Sequence, residues 1–510
     1  MTAKIPHFLS LCIGIVVLGT PWRLAAQAQT EEQVYPGQEE LPALDEGAAP
    51  SPEGGVVVPK TEPPVTPVPE AQPAPPSVTT APPASEPELP VEPEPEPKYG
   101  DQPFTFKTGG ITWSPFLQAR FRQETRLNTY GPAGAITDNQ HFVTTRVRFG
   151  LGAQWKFVRG MMQIQDVRLF GTQPGSDDGS SFALHQGILE LGNERGYVRL
   201  GRQEINYGNQ RMIGALDWLM SARSFDAARL HGFFGDKLEL DLFGSIVARQ
   251  QTIIIDDTVE PVQVETNNGS YLATSNLSYK HNDKLYLEAY ALYRHDRPND
   301  LNSLTVKNDI VSPGLYVTGV PIERLKYTGE FTIQGGKQQN DAFFAFAVSG
   351  DLDYTFDAKT KPTLNGGFAY ATGASGNGKV DEFNNFYPTN HKFYGAADLF
   401  GLRNLIDAHA HVAISAPKAP VGVSLGFYNF ALANPSARWS NAGGATFGVN
   451  PDNGKRNMGQ EIDLIMSWNF LPGVSLAGGW TVFVPNQGAE NLGNDEVTQW
   501  GFVMLGAQTP

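Results

Sequence analysis

From about Phe104 to the end of the chain, apolar residues recur at every second position in segments of about ten residues. Nowhere do they form a 3.6-residue stripe of helical length, and no 18-residue apolar run occurs. In 117–127, Leu117, Ala119, Phe121 and Leu127 take one face, and Gln118, Arg120, Arg122, Glu124 and Arg126 the other. In 143–155, Val143, Val147, Phe149, Leu151, Ala153 and Trp155 oppose Thr144, Arg146, Arg148, Gly152 and Gln154. In 238–246, Leu238, Leu240, Leu242 and Ile246 oppose Glu239 and Asp241. The pattern returns at 285–294, 342–354, 461–470 and 474–483, with Gly, Asn, Asp and Pro in the turns. A soluble sandwich also alternates, but seldom with so many long segments ending in aromatic residues. The pattern fits an all-β transmembrane antiparallel barrel, apolar outside and polar inside. At about 22 residues per strand plus turn, 102–510 allows roughly 16–18 strands, enough to enclose an aqueous lumen.

The N-terminal fifth is different. Lys4, an apolar run from Phe8 to Leu18 and the small-residue exit Ala26-Gln27-Ala28 describe a secretory signal peptide over 1–28. The run is too short for a spanning helix, and bulky Leu11 before Cys12 argues against a lipoprotein site. Cys12 is the sole cysteine, so the mature chain has no thiol for a disulfide or a metal. Residues 29–101 are Pro- and Glu-rich. Between Glu31 and Asp101 lie 19 of the 38 prolines and 15 acids, against Lys60 and Lys98 alone. Such a segment cannot bury enough apolar surface to order itself, so a disordered linker is expected. It reads as a solvated periplasmic spacer. Cell wall or an inner-membrane complex are conceivable partners, though no motif names one.

That linker carries most of the chain's net charge of −15, leaving the barrel nearly neutral. The barrel's charge is nevertheless sorted. Residues 102–250 hold fourteen arginines and three lysines against thirteen acids, whereas 251–510 hold seventeen bases against twenty-five acids. Alternation turns Arg120, Arg122, Arg126, Arg146 and Arg148 into the lumen. Guanidinium groups stay charged when partly dehydrated and bind carboxylates in a planar, bidentate way. Two readings stand together: rings of such groups select anions, and lumen arginines also pair with acids to hold a wall. Glu124, two residues from both Arg122 and Arg126, has the spacing of a wall ladder.

The densest stretch is Arg199-Leu-Gly-Arg-Gln-Glu-Ile-Asn-Tyr-Gly-Asn-Gln-Arg-Met-Ile-Gly-Ala-Leu-Asp-Trp218, followed by Ala222-Arg-Ser-Phe-Asp-Ala-Ala-Arg-Leu230. It resembles the signature of the alginate-export family of outer-membrane porins. Phe386-Tyr-Pro-Thr-Asn-His-Lys-Phe-Tyr-Gly395, Gly401-Leu-Arg-Asn-Leu405 and Gly459-Gln-Glu-Ile-Asp-Leu464 are similar to the same family, in the same order. The resemblance implies an 18-stranded outer-membrane barrel with an arginine-rich constriction, through which an anionic polysaccharide leaves the cell. Carried over by residue, it assigns the pore to Arg199, Arg202, Arg211, Arg223 and Arg229, with Glu204, Asp217 and Asp226 as partners. If Val198 and Leu200 face lipid, alternation puts Arg199 in the lumen and Arg202 outside, unless Gly201 marks a bulge or the strand ends there.

Other motifs carry less. Gly373-Ala-Ser-Gly-Asn-Gly-Lys379 matches much of a phosphate loop, but Val380 stands where Ser or Thr should follow, so a turn is expected. His409 and His411 share a strand face without an evident third ligand, and read as ordinary polar-face residues. No Gly-x-Ser-x-Gly elbow or catalytic pair stands out, and no metal, cofactor or nucleic-acid partner is expected. The expected function is a passive outer-membrane conduit, not an enzyme. Glu190, Glu204 and Asp217 would compete with the cargo for the arginines. The alternatives are a porin for small anionic solutes and, less favoured, a barrel enzyme or adhesin. Outer-membrane lipid surrounds the barrel in each case, and a closed barrel is expected to be a monomer.

Overall fold

The computed structural model describes residues 104–130, 139–171, 181–247, 270–282, 284–296, 308–338, 341–376, 381–416, 420–450 and 452–509. The expected signal peptide and Pro/Glu-rich linker lie outside the described residues. Eighteen antiparallel strands form one closed barrel. In chain order they are β1 Ile111–Leu127, β2 Gln140–Trp155, β3 Val158–Gly171, β4 Ser181–Asn193, β5 Gly196–Gln203 and β6 Phe225–Phe234. Next come β7 Leu238–Ile246, β8 Ser270–Asn282, β9 Leu285–Asp296, β10 Asn308–Ile322, β11 Leu325–Gln338 and β12 Asp341–Thr355. The last six are β13 Thr363–Ala371, β14 Leu405–Ala416, β15 Val421–Leu432, β16 Asn457–Leu471, β17 Val474–Pro485 and β18 Thr498–Gln508. Each strand pairs with its neighbours in sequence, and β1 closes the ring on β18 from Gln118↔Gln508 to Leu127↔Gln499. A three-residue strand, Phe106–Thr108, folds back onto the start of β1.

The alternation in the sequence becomes two surfaces. Leu117, Phe121, Val147, Phe149 and Trp155 are exposed on the outside, while Arg122, Glu124, Thr144, Arg146 and Arg148 are buried inside. The expectation of a polar interior needs correction, because the lumen also holds an aromatic and aliphatic core. Phe225, Phe243, Phe430 and Phe483 point inward from strands and pack with Ile205, Met212, Ile213, Phe400, Trp439 and Phe447 from loops. These strand residues occupy lumen-facing positions because loops fold into the barrel, and apolar loop residues need apolar wall to lie against.

The two ends differ. The connections that follow even-numbered strands run from two residues (156–157) to seven (356–362). Those that follow odd-numbered strands are mostly longer and reach 33 residues at 372–404. Both termini of the barrel lie at the short-turn end. Strand length also varies around the ring, from 17 residues in β1 to 8 in β5 and 9 in β7. The wall is therefore lowest beside the loop 204–224.

Val147 tests the inside–outside assignment. Val147→Arg puts a guanidinium against lipid and is expected to cost about 2–4 kcal/mol in denaturant unfolding from vesicles. A loss below about 0.5 kcal/mol would mean that this face is not in lipid.

Candidate functional site

Two loops meet inside the lumen and form one body. Residues 204–224 and 372–404 pair through Gly214 N–H to the Tyr387 carbonyl (2.9 Å), Tyr387 N–H to the Met212 carbonyl (3.1 Å) and Thr389 N–H to the Gln210 carbonyl (3.0 Å). The wall holds this body by carboxylates. Glu288 accepts from Gly208 N–H (2.8 Å), Asp463 from Ala396 N–H (3.0 Å) and Glu461 from Ala397 N–H (3.0 Å). Gly395 has φ +80°, and a Cβ there would lie 2.3 Å from a Glu461 carboxylate oxygen, so only glycine lets the backbone come this close.

On the opposite wall stand the arginines. The register of β1 and β2 sets Arg120 directly across from Arg146, with Arg148 next along the lumen face of β2. Like charges so placed destabilise a sheet unless a counter-charge reaches both. Asp217, from the loop 204–224, supplies it. Its carboxylate accepts from Arg120 Nη2 (2.8 Å), Arg146 Nη1 (2.9 Å) and Nη2 (3.1 Å), and Arg148 Nη1 (2.8 Å). Burial alone would push this carboxyl up. The guanidiniums of Arg146, Arg120 and Arg148 overcome that and hold it well below the usual carboxylate range. The three arginine side chains are 0–16 % exposed, and that of Asp217 is 42 % exposed. The next residue continues the clasp. The Trp218 carbonyl accepts from Arg122 Nη1 (2.6 Å), the Trp218 ring lies 4.4 Å from the Arg122 guanidinium, and His391 stacks on it at 4.0 Å.

The remaining sequence candidates fall into separate places. Arg122 and Arg126 share Glu124 at 2.7 and 3.0 Å, as a wall ladder requires. Arg199 pairs with Glu190 (2.7 Å) and Arg229 with Asp241 (2.6 Å), nearer the short-turn end. Glu204 receives a hydrogen bond from His185 Nε2 (2.6 Å) and lies 3.9 Å from Arg148. Arg211 bonds Asp351 (3.1 Å) and the Tyr394 hydroxyl (2.7 Å), and Arg223 donates to the carbonyls of Gly214, Tyr387 and Pro388. Both bind the loops to each other or to the wall. Arg202 and Asp226 are a correction: they face outward, in a bidentate pair at 2.8 and 2.7 Å. The ladders on both sides of β5 run through Gly201 without a register shift, so Gly201 does not reset the alternation.

Sequence reasoning missed Arg159, which joins Arg199 on Glu190. It also missed the wall opposite the arginines. Asp241, Glu288, Glu330, Asp351, Asp407, Glu461 and Asp463 are all buried on the lumen side of β7 to β16. The excess of acids over bases in 251–510 was the available signal. His409 lies between Asp407 (2.7 Å) and Asp351 (3.0 Å), so it belongs to this wall. Among the described residues, no group of three or more His, Cys, Asp or Glu is arranged to hold a metal.

The family model for alginate export matches residues 116–493. The chain belongs to the alginate-export family. No curated protein matches significantly. Among solved structures, Pseudomonas aeruginosa OpdQ is 11 % identical with a TM-score of 0.53, over 78 % of this chain and 97 % of that one. P. aeruginosa OccD3 (OpdP) is 13 % identical with the same TM-score, over 78 % and 91 %. At these identities the likeness is one of fold. An alginate-export-family barrel of this kind is an outer-membrane channel.

The Asp217 clasp has a pH signature. A carboxyl whose pKa falls on folding stabilises the fold above its unfolded pKa, near 4, and loses that effect only as pH drops through the lower folded value. The loop should therefore stay clasped from pH 7 to pH 4. Asp217→Asn at pH 7 should raise the anion-to-cation permeability ratio by about threefold, on the order of 0.6 kcal/mol. An unchanged ratio would place Asp217 away from the conducting path.

Proposed function

We propose that this alginate-export-family barrel conducts an anionic, uronate-containing polysaccharide outward across the outer membrane. The observation that carries the proposal is the convergence of Arg120, Arg146 and Arg148 on the carboxylate of the part-exposed Asp217. A carboxylate on the cargo can take the place that Asp217 holds. Fixed guanidiniums would replace part of its hydration as it passes, and Asp217 would compete for the site afterwards, which speeds release. Passage needs such weak, multiple binding, because a tight site would trap the polymer. Arg122, Arg126, Arg199 and Arg229 would act as further stations, each already shared with an acid. Arg211 and Arg223 would serve by holding the loops. The short turns and both chain termini of the barrel would lie in the periplasm, following the usual asymmetry of such barrels. The channel is passive and works as a monomer, with the driving force supplied by polymer synthesis.

A second reading, a porin for small anionic solutes, is favoured by the crowding of the lumen. The paired loops and their apolar core occupy space that a polymer would need. Reversal potential in a planar bilayer under a KCl gradient, with and without added polyuronate, separates the two. Export predicts anion preference and block by polyuronate, whereas anion preference without block supports the small-solute porin. Arg120→Ala with Arg148→Ala should lower the preference. Cation selectivity of the native protein would remove these arginines from the conducting path.

A further inference from the structure

The short-turn end of the barrel is basic. Among the described residues of its turns, the lead-in 104–110 and the end of β8, nine exposed bases stand against four exposed acids. The two charged turn residues outside the described set, Asp283 and Lys418, cancel. In the loops of the opposite end the exposed, described residues are four acids against three bases, so the excess of exposed base belongs to the short-turn end. Lys156, Arg195, Lys237, Lys284, Lys359 and Lys361 place this basic collar around the ring from the β2–β3 turn to the β12–β13 turn. The acids of the collar are partly engaged, since Asp357 and Glu323 both pair with Arg324 (2.9 and 3.5 Å). Lys237, Lys284 and Lys359 form no ion pair among the described residues.

The chain enters the barrel at this same end, and the segment just before it is strongly acidic. Residues 85–101 hold Glu86, Glu88, Glu92, Glu94, Glu96 and Asp101 against Lys98 alone. With a proline between almost every pair of glutamates, 17 residues in polyproline form reach about 50 Å. An 18-stranded ring at ordinary strand spacing and tilt is about 35 Å across. We propose that the lysine collar is a docking surface for the acidic segment 85–101 of the same chain. Covalent attachment at the rim keeps the segment at high effective concentration there, so a modest charge attraction suffices. A polyanionic cargo entering from this end would meet the same lysines and compete with the segment for them. Docking itself does not depend on the cargo, and its test reads the chain alone.

Spin labels at Pro95→Cys and Ala358→Cys, in the full chain with Cys12→Ser, report the distance between segment and collar without altering either charge set. At about 10 mM salt, where screening reaches ~30 Å, pulsed-EPR distances should be short and narrowly distributed. At about 1 M salt, where screening falls to ~3 Å, the distribution should broaden. Lys359→Gln with Lys361→Gln should broaden it even at low salt. A distribution already broad at low salt in the native background would overturn the proposal, as would a narrow one indifferent to salt and to the lysines. A narrow distribution in neutral detergent that is lost in vesicles of anionic phospholipid would assign the collar to lipid head groups instead.

Discussion

A backbone crossing lipid must satisfy every N–H and C=O within itself, and here the pairing of β1 with β18 meets that demand. Closure has a second effect. It encloses a space where side chains reach bulk water only through the two mouths, so charges placed there must largely be matched by other charges. The lumen shows this matching throughout. Lumen arginines gather on β1 to β6 and most buried lumen acids on β7 to β16, and the loops inside carry complementary groups to each wall. Asp217 reaches the arginine side, and Arg211, six residues earlier, reaches Asp351 on the acidic side.

This charge pattern explains why a loop of mixed character can sit inside a channel. Residues 204–224 are apolar enough to form a core, with Ile205, Met212, Ile213 and Met220 buried. Hydrophobic burial brings the loop inward, and the two ion-pair sets decide which way round it lies. A purely apolar plug would have no preferred orientation and would leave the wall arginines unmatched. A purely polar loop would gain little by leaving water. The combination also sets Asp217 against three guanidiniums of the wall.

Much of the fold was legible because period-two alternation states directly which residues face lipid and which do not. The faces of 117–127 and 143–155 came out as read, and so did the outward parity of Arg202, which the family resemblance alone would have placed in the pore. The loop interior was less legible. Phe243 and Phe483 break the rule of polar inward positions only because distant loops pack on them, and local sequence holds no record of that contact. Arg211 and Arg223 look like pore residues in sequence, yet their partners Asp351, Tyr394 and Tyr387 lie more than 100 residues away. The acidic wall was present as a charge imbalance but had no compact motif, because its members are spread over strands from β7 to β16.

Asp217 occupies a carboxylate site built by Arg120, Arg146 and Arg148. A structure of the protein in lipid with a short oligouronate bound tests most directly whether the cargo can take that site. The expected result is a uronate carboxylate within hydrogen-bond distance of those three guanidiniums, with Asp217 displaced toward the open lumen. An oligouronate bound elsewhere in the barrel while Asp217 keeps all three arginines would contradict it.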